Sequence, residues 1–176
     1  MKLSLRSISI LSALSALVIA PAVLTAGSAS AAPVRNDRSY VGAGLSGGVL
    51  RGDANNEDRS FGGNVQGRFA VPNAPVSVRG SVLFTGKNSA IVPTLTYDIP
   101  LTNRTNLYAG AGYSFVTNGD RTSQLGNKNA PVLTAGVESR VANGVVLYSD
   151  LKYGINAYES NRAGALAIQG GVGFEF

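Results

Sequence analysis

Four acidic residues, Asp98, Glu138, Asp150 and Glu175, and four basic ones, Arg68, Arg79, Arg140 and Lys152, stand inside stretches of alternating apolar residues. They are the groups with chemistry to offer. Glu138 and Arg140, and likewise Asp150 and Lys152, are two residues apart, which on an extended chain puts both members of each pair on one face. Such pairs could work as acid and base, or they could simply neutralise one another. The chain has no histidine and no cysteine. That removes Ser-His-Asp and Cys-His nucleophilic constellations and the usual zinc ligand sets. No catalytic, cofactor or metal residue is therefore assigned, and the eight charges are read as a polar network inside a closed structure. Equal numbers of each sign fit that reading, because a buried charge without a partner is costly whereas a solvated one needs no balance.

Other motifs carry less. Asp53, Asn55, Asn56, Glu57 and Asp58 could offer oxygens to calcium, but their spacing fits no EF-hand, and a solvated acidic loop is the reading adopted. Arg51-Gly52-Asp53 is a three-residue adhesion-like match, too short to carry a function. Asn103-Arg104-Thr105 has the form of a glycosylation sequon, placed in a tight turn, and Gly86-Lys87 lacks the upstream spacing of a phosphate loop.

The elements that position the charges show a period of two. Eight strands are predicted, over 39–49, 60–71, 76–85, 89–99, 105–116, 131–141, 145–155 and 164–176. Most are ten to thirteen residues, longer than the five or six usual in globular sheets and close to the nine to eleven that a tilted strand needs to cross a bilayer. One face is apolar, as with Ile91, Leu95, Tyr97 and Ile99. The other holds every mid-strand charge and many glycines (Gly42, Gly44, Gly110, Gly112, Gly136, Gly154, Gly171, Gly173), which suits the cramped interior of a small barrel. A slip of one residue would turn Arg68, Arg79, Arg140 and Lys152 to the apolar side, so register is expected to be firm. Pro93 falls inside the fourth strand, where a bulge is expected to accommodate it. Tyr40 to Ser46 and Tyr108 to Ser114 echo each other in Tyr, Gly, Gly and Ser at alternate positions. A hairpin duplication and a shared response to one narrow interior both explain that.

Tight turns rich in Pro, Asn and Gly (72–75, 100–104, 142–144) alternate with connections that are mostly longer (50–59, 117–130, 156–163). With that alternation as a guide, Phe61, Phe84, Tyr113, Phe115 and Tyr153 gather near one end of the apolar face. Phe69, Tyr97, Phe174 and Phe176 gather near the other. Two aromatic girdles around an aliphatic middle are what a membrane-spanning barrel presents to its two interfaces.

Residues 1–31 differ from the rest. Lys2 and Arg6 precede an uncharged apolar run from Ile8 to Ala26, and Ala29-Ser30-Ala31 follows, which is the layout of a secretory signal peptide cut after Ala31. Residues 32–176 keep 13 of the 15 basic residues and all 10 acidic ones, a net charge of +3, which gives little ground for a nucleic-acid partner.

Strand number, connection asymmetry, girdles and the ending from Ile168 to Phe176 together resemble the small eight-stranded outer-membrane barrels of the OmpA/OmpX type. The resemblance implies an all-β, eight-stranded antiparallel up-and-down transmembrane β-barrel over 32–176, without a periplasmic domain after it. It also implies an outer-membrane location in a Gram-negative envelope, outer-membrane lipid around the wall, and passage through periplasmic chaperones and the barrel-assembly machinery. Phe174 and Phe176 would be the assembly signal. A monomer is expected, with no nucleic-acid partner and no cofactor. Three functions are carried forward: a non-enzymatic barrel with a structural or surface-interaction role, a narrow porin-like channel for small solutes, and a soluble periplasmic ligand-binding barrel in which the two faces are exchanged.

Overall fold

A computed structural model describes residues 38–50, 61–86, 88–117, 123–159 and 162–176. The signal-peptide segment, the acidic stretch 53–58, the Arg51-Gly52-Asp53 match and Lys87 lie outside these residues. Period-two patterning becomes eight strands: β1 (Tyr40–Leu50), β2 (Phe61–Ala70), β3 (Val76–Phe84), β4 (Ser89–Pro100), β5 (Thr105–Val116), β6 (Ala130–Ala142), β7 (Val145–Gly154) and β8 (Ala165–Glu175). Each pairs antiparallel with the next, and β1 pairs with β8, so the sheet closes into a barrel with no free edge. The eight strands predicted from patterning all form, with ends displaced by no more than two residues.

Short turns hold one end. Asn73 (φ 60°) and Gly144 (φ 74°) take the left-handed conformation that reverses the chain within a few residues. In the turn before β5, the Thr102 hydroxyl accepts from the backbone N–H groups of Arg104 (3.2 Å) and Thr105 (3.0 Å).

Burial alternates residue by residue, and in β4 every even-numbered position from Ala90 to Asp98 is inside. The apolar face points out. Val41, Leu45, Val78, Ile91, Leu95, Leu133 and Val172 are all exposed, while Arg68, Arg79, Asp98, Glu138, Asp150 and Lys152 are all buried. This overturns the soluble barrel with exchanged faces. The inward positions are taken by the charged and polar groups and a few small clusters, so the aliphatic side chains at outward parity have only the outside to occupy.

Glycine spacing makes that narrowness possible at the seam. Gly44 of β1 lies opposite Gly171 of β8, and Gly42 opposite Gly173. A Cβ on Gly44 would run into the carbonyl oxygen of Gly170. Pro93 is accommodated differently from expectation. No bulge forms: register runs unchanged from Ile91↔Phe115 to Thr94↔Gly112, and the β4–β5 ladder merely lapses at Val92 and Pro93. Proline lacks the N–H for that one rung, and the rungs on either side suffice to hold register. The two irregularities lie instead near strand ends, between Gly48 and Leu50 and between Arg140 and Ala142.

Candidate functional site

The charged interior is built from strands that lie apart in sequence. Arg68 (β2) and Arg79 (β3) are direct cross-strand neighbours, an unfavourable placement for two like charges taken alone. Two carboxylates reverse the sign of that arrangement. The Arg68 guanidinium meets Asp98 Oδ2 at 2.8 Å and Glu138 Oε1 at 3.1 Å. Arg79 meets Asp98 Oδ1 at 3.0 Å and Glu138 Oε2 at 2.9 Å. Each cation therefore touches both anions, and the four groups form a closed ring of ion pairs across the lumen, with side chains only 1–3% exposed. Arginine suits this role because its planar fork can donate in two directions at once.

Neutral groups complete the coordination that a buried ring needs. Arg68 Nε donates to Ser77 Oγ (3.0 Å), and Ser77 Oγ in turn donates to Asp98. Arg79 Nε donates to Thr96 Oγ1 (3.0 Å) and one of its Nη atoms to Tyr40 Oη (3.2 Å). The guanidinium carbon of Arg79 lies 3.6 Å from the centre of the Tyr108 ring, a cation–π contact. Asn106 donates to Glu138 Oε1 (3.3 Å). The echo between β1 and β5 thus has a structural counterpart. Tyr40 and Tyr108, from strands four apart, both converge on Arg79.

A second cluster adjoins the first. Lys152 Nζ lies 2.9 Å from Asp150 Oδ1. Tyr108 Oη (2.8 Å) and Gln169 Nε2 (2.9 Å) donate to the other oxygen of that carboxylate. Gln169 also donates to Gln66, and Tyr148 Oη donates to Asn64 Oδ1 at 2.6 Å.

All eight charges singled out in the sequence carry ion pairs, but not all with the partners that spacing suggested. Asp150 and Lys152 do pair. Glu138 and Arg140 do not: Glu138 reaches across the lumen to Arg68 and Arg79, and Arg140 pairs with Glu175 (2.9 Å) at the short-turn end. Long side chains in a narrow barrel meet partners across the lumen more readily than along one strand. The Arg140–Glu175 pair belongs to the rim, with Arg140 24% exposed, and Arg38 joins it at 3.4 Å.

Sequence reading missed the other half of the interior. Toward the long-connection end the lumen turns apolar, with Leu83, Ala90, Val92, Val132 and Ala167 packed around Leu125, a residue of the β5–β6 connection. A neighbouring cluster joins Ala130 and Ala165 to Ala157 and Tyr158 of the β7–β8 connection. Leu83, Val92 and Val132 sit at the inward parity of their strands, which was the available signal. The inward fold of Leu125 left none, because loop sequence has no period to read.

A closed antiparallel sheet whose outside is aliphatic and ringed by aromatics, and whose inside holds the charges, is a transmembrane β-barrel. The chain belongs to the outer membrane protein β-barrel domain family, which it matches over residues 19–176. The sequence matches none of the curated proteins. Among solved structures it is similar to Ail, the attachment invasion locus protein of Yersinia pestis. The TM-score is 0.55 at 16% identity, covering 81% of this chain and 100% of that one. It is also similar to OprG from Pseudomonas aeruginosa (TM-score 0.53, 14% identity, 82% of this chain and 98% of that one). A third similar structure is a de novo designed transmembrane β-barrel (TM-score 0.55, 14% identity, 82% and 100%). Identities this low carry the fold alone.

Proposed function

We propose that this protein is a non-enzymatic, non-conducting integral barrel of the outer membrane, whose work is structural or is done by the long connections at the cell surface. The observation that carries the reading is the outward face: no outward-pointing strand position among the described residues holds a charge. The serine and threonine hydroxyls at outward parity in β5, β6 and β7 are buried and satisfied locally, as hydrocarbon requires. Thr105 and Ser139 bond each other at 3.0 Å, and Ser149 Oγ donates to the Gln169 carbonyl at 3.0 Å. Outer-membrane lipid is then the main partner. Periplasmic chaperones and the barrel-assembly machinery would act during biogenesis on an ending in which Phe174 and Phe176 point outward. The barrel is proposed to be monomeric, with both termini periplasmic and residues 1–31 removed on export.

Leu95 lies mid-strand on β4 and is 58% exposed. Leu95→Arg is expected to destabilise the folded barrel in lipid by roughly 2–4 kcal/mol, where the same change on a solvated face would be nearly neutral. Urea titrations in liposomes measure the difference, and a change below ~0.5 kcal/mol would remove the membrane reading.

The lumen supports the non-conducting half of the proposal, since Tyr40, Arg68, Arg79, Tyr108, Tyr148 and Glu138 are all fully buried across it. In planar bilayers the purified protein is expected to leave the baseline closed. Discrete, reproducible single-channel steps would instead establish the porin-like alternative.

A further inference from the structure

We infer that the barrel is sealed twice, by the ionic ring near the short-turn end and by an inward-folded turn of the β5–β6 connection near the other, and that either seal alone suffices to block ions. The inference rests on the non-conducting reading proposed above.

The outer seal is a built structure. Residues 123–126 make a tight turn in which Ser123 and Gly126 form an isolated β-bridge. The Ser123 N–H donates to the Gly126 carbonyl at 2.7 Å, and the Ser123 hydroxyl donates to that same oxygen at 2.6 Å. The hydroxyl also accepts from the Leu125 N–H at 3.1 Å. Gly126 has φ 95°, and a Cβ there would strike the Ala157 carbonyl, so this position admits glycine and little else.

The turn is anchored on two sides. The N–H groups of Asn127 and Lys128 donate to the Ala157 carbonyl of the β7–β8 connection (3.1 and 3.2 Å). Gln124 Nε2 donates to the Ser46 carbonyl of β1 at 3.1 Å. Leu125 is thereby held, wholly buried, among side chains from β3, β4, β6 and β8. Those strands surround the lumen, so one leucine occupies the axis of the apolar half.

The two seals sit at separate heights and close the path by different physics. Arg79 of the ring and Leu83 of the apolar cluster are four residues apart on β3, ~13 Å of strand. The ring blocks by filling the lumen with paired charge. The turn blocks by removing water from an aliphatic section, which no hydrated ion crosses cheaply.

Three variants separate the seals in planar bilayers. Leu125→Asp places an unpaired charge among aliphatics, which should drive the turn out of the mouth. Arg79→Ser with Glu138→Ser shortens one cation and one anion together, leaving Arg68 paired with Asp98 and the net charge unchanged. Each of these is expected to stay closed, and the triple variant is expected to conduct. Folding of each is checked by the mobility shift between boiled and unboiled samples. Conduction by either partial variant would overturn the two-seal inference by showing that one seal did all the blocking. A closed triple variant that retains the shift would overturn it too. Conduction by the unaltered protein would overturn the proposed function itself.

A measurement that leaves the lumen charges alone covers the case in which those variants misfold. The chain contains no cysteine, so Ala167→Cys and Asn129→Cys each introduce a single thiol. Ala167 is buried in the cluster around Leu125 and Asn129 is exposed. A charged maleimide added outside folded liposomes is expected to label the Ala167→Cys protein ~10-fold or more slowly than the Asn129→Cys protein. Equal rates would mean that the turn does not close the mouth.

Discussion

Replacing Arg79 by alanine is expected to destabilise the folded barrel by roughly 3–5 kcal/mol, the range for breaking a buried ion pair by deleting one partner. The reason lies in what remains. Asp98 and Glu138 each lose one of two cations while their carboxylates stay buried. Tyr40 loses a donor, and the face of Tyr108 loses the guanidinium at 3.6 Å. Glu138→Gln alone should also be costly, because it leaves two neighbouring arginines facing a single full carboxylate. Combining Arg79→Ala with Glu138→Gln should cost clearly less than the sum of the two single changes, since the remaining Arg68–Asp98 pair is neutral. The folded band on unboiled gels, followed against urea in liposomes, gives all three values. Strict additivity would mean that the ring is not a coupled unit. A loss below ~1 kcal/mol for Arg79→Ala would mean that water or another group takes over its bonds.

The second large effect is expected at the seam. Gly44→Val should prevent closure, so that no heat-modifiable band forms, because its side chain has no room. The first added carbon already collides with the Gly170 carbonyl and with the backbone of Gly171, and backbone on a paired strand cannot step aside without losing its ladder. Overpacking of an adaptable core costs ~1–3 kcal/mol, and here the obstacle is main chain, so the cost should exceed that range. Gly80→Val is the matched control. Gly80 points outward on β3 and has nothing within 4 Å of an added Cβ, so valine there adds apolar surface to a lipid-facing wall. It should fold with the yield of the unaltered protein. Equal folding yields for the two variants would show that the seam has slack which the glycine spacing does not suggest.

These two sites differ in how far sequence could reach them. That Arg68, Arg79, Asp98, Glu138, Asp150 and Lys152 would share one interior was legible from parity along each strand, because a period of two assigns a face unambiguously. The aromatic girdles were legible for the same reason, once turn lengths set the direction of each strand. Which charge meets which was not. Glu138 is two residues from Arg140 and fifty-nine from Arg79, yet its bond goes to Arg79. Partner choice in a lumen depends on strand tilt and on the reach of each side chain across a few ångströms of space, and neither is written in local spacing. Pro93 shows the converse, where a local rule predicted a bulge and the surrounding ladder absorbed the missing rung.

What sequence determined by itself was the alternation, and through it the number of strands, their faces and the sign balance of the interior. The physical reason is that a strand in a thin wall has only two environments, and residue type reports which one it meets. What the tertiary structure alone decided was the pairing within the ring, the rim position of Arg140 with Glu175, and the burial of Leu125 in the mouth. Those depend on closure, which brings residues from four strands and a connection to one axis, and on the aliphatic lining that makes a folded-in leucine cheaper there than in water.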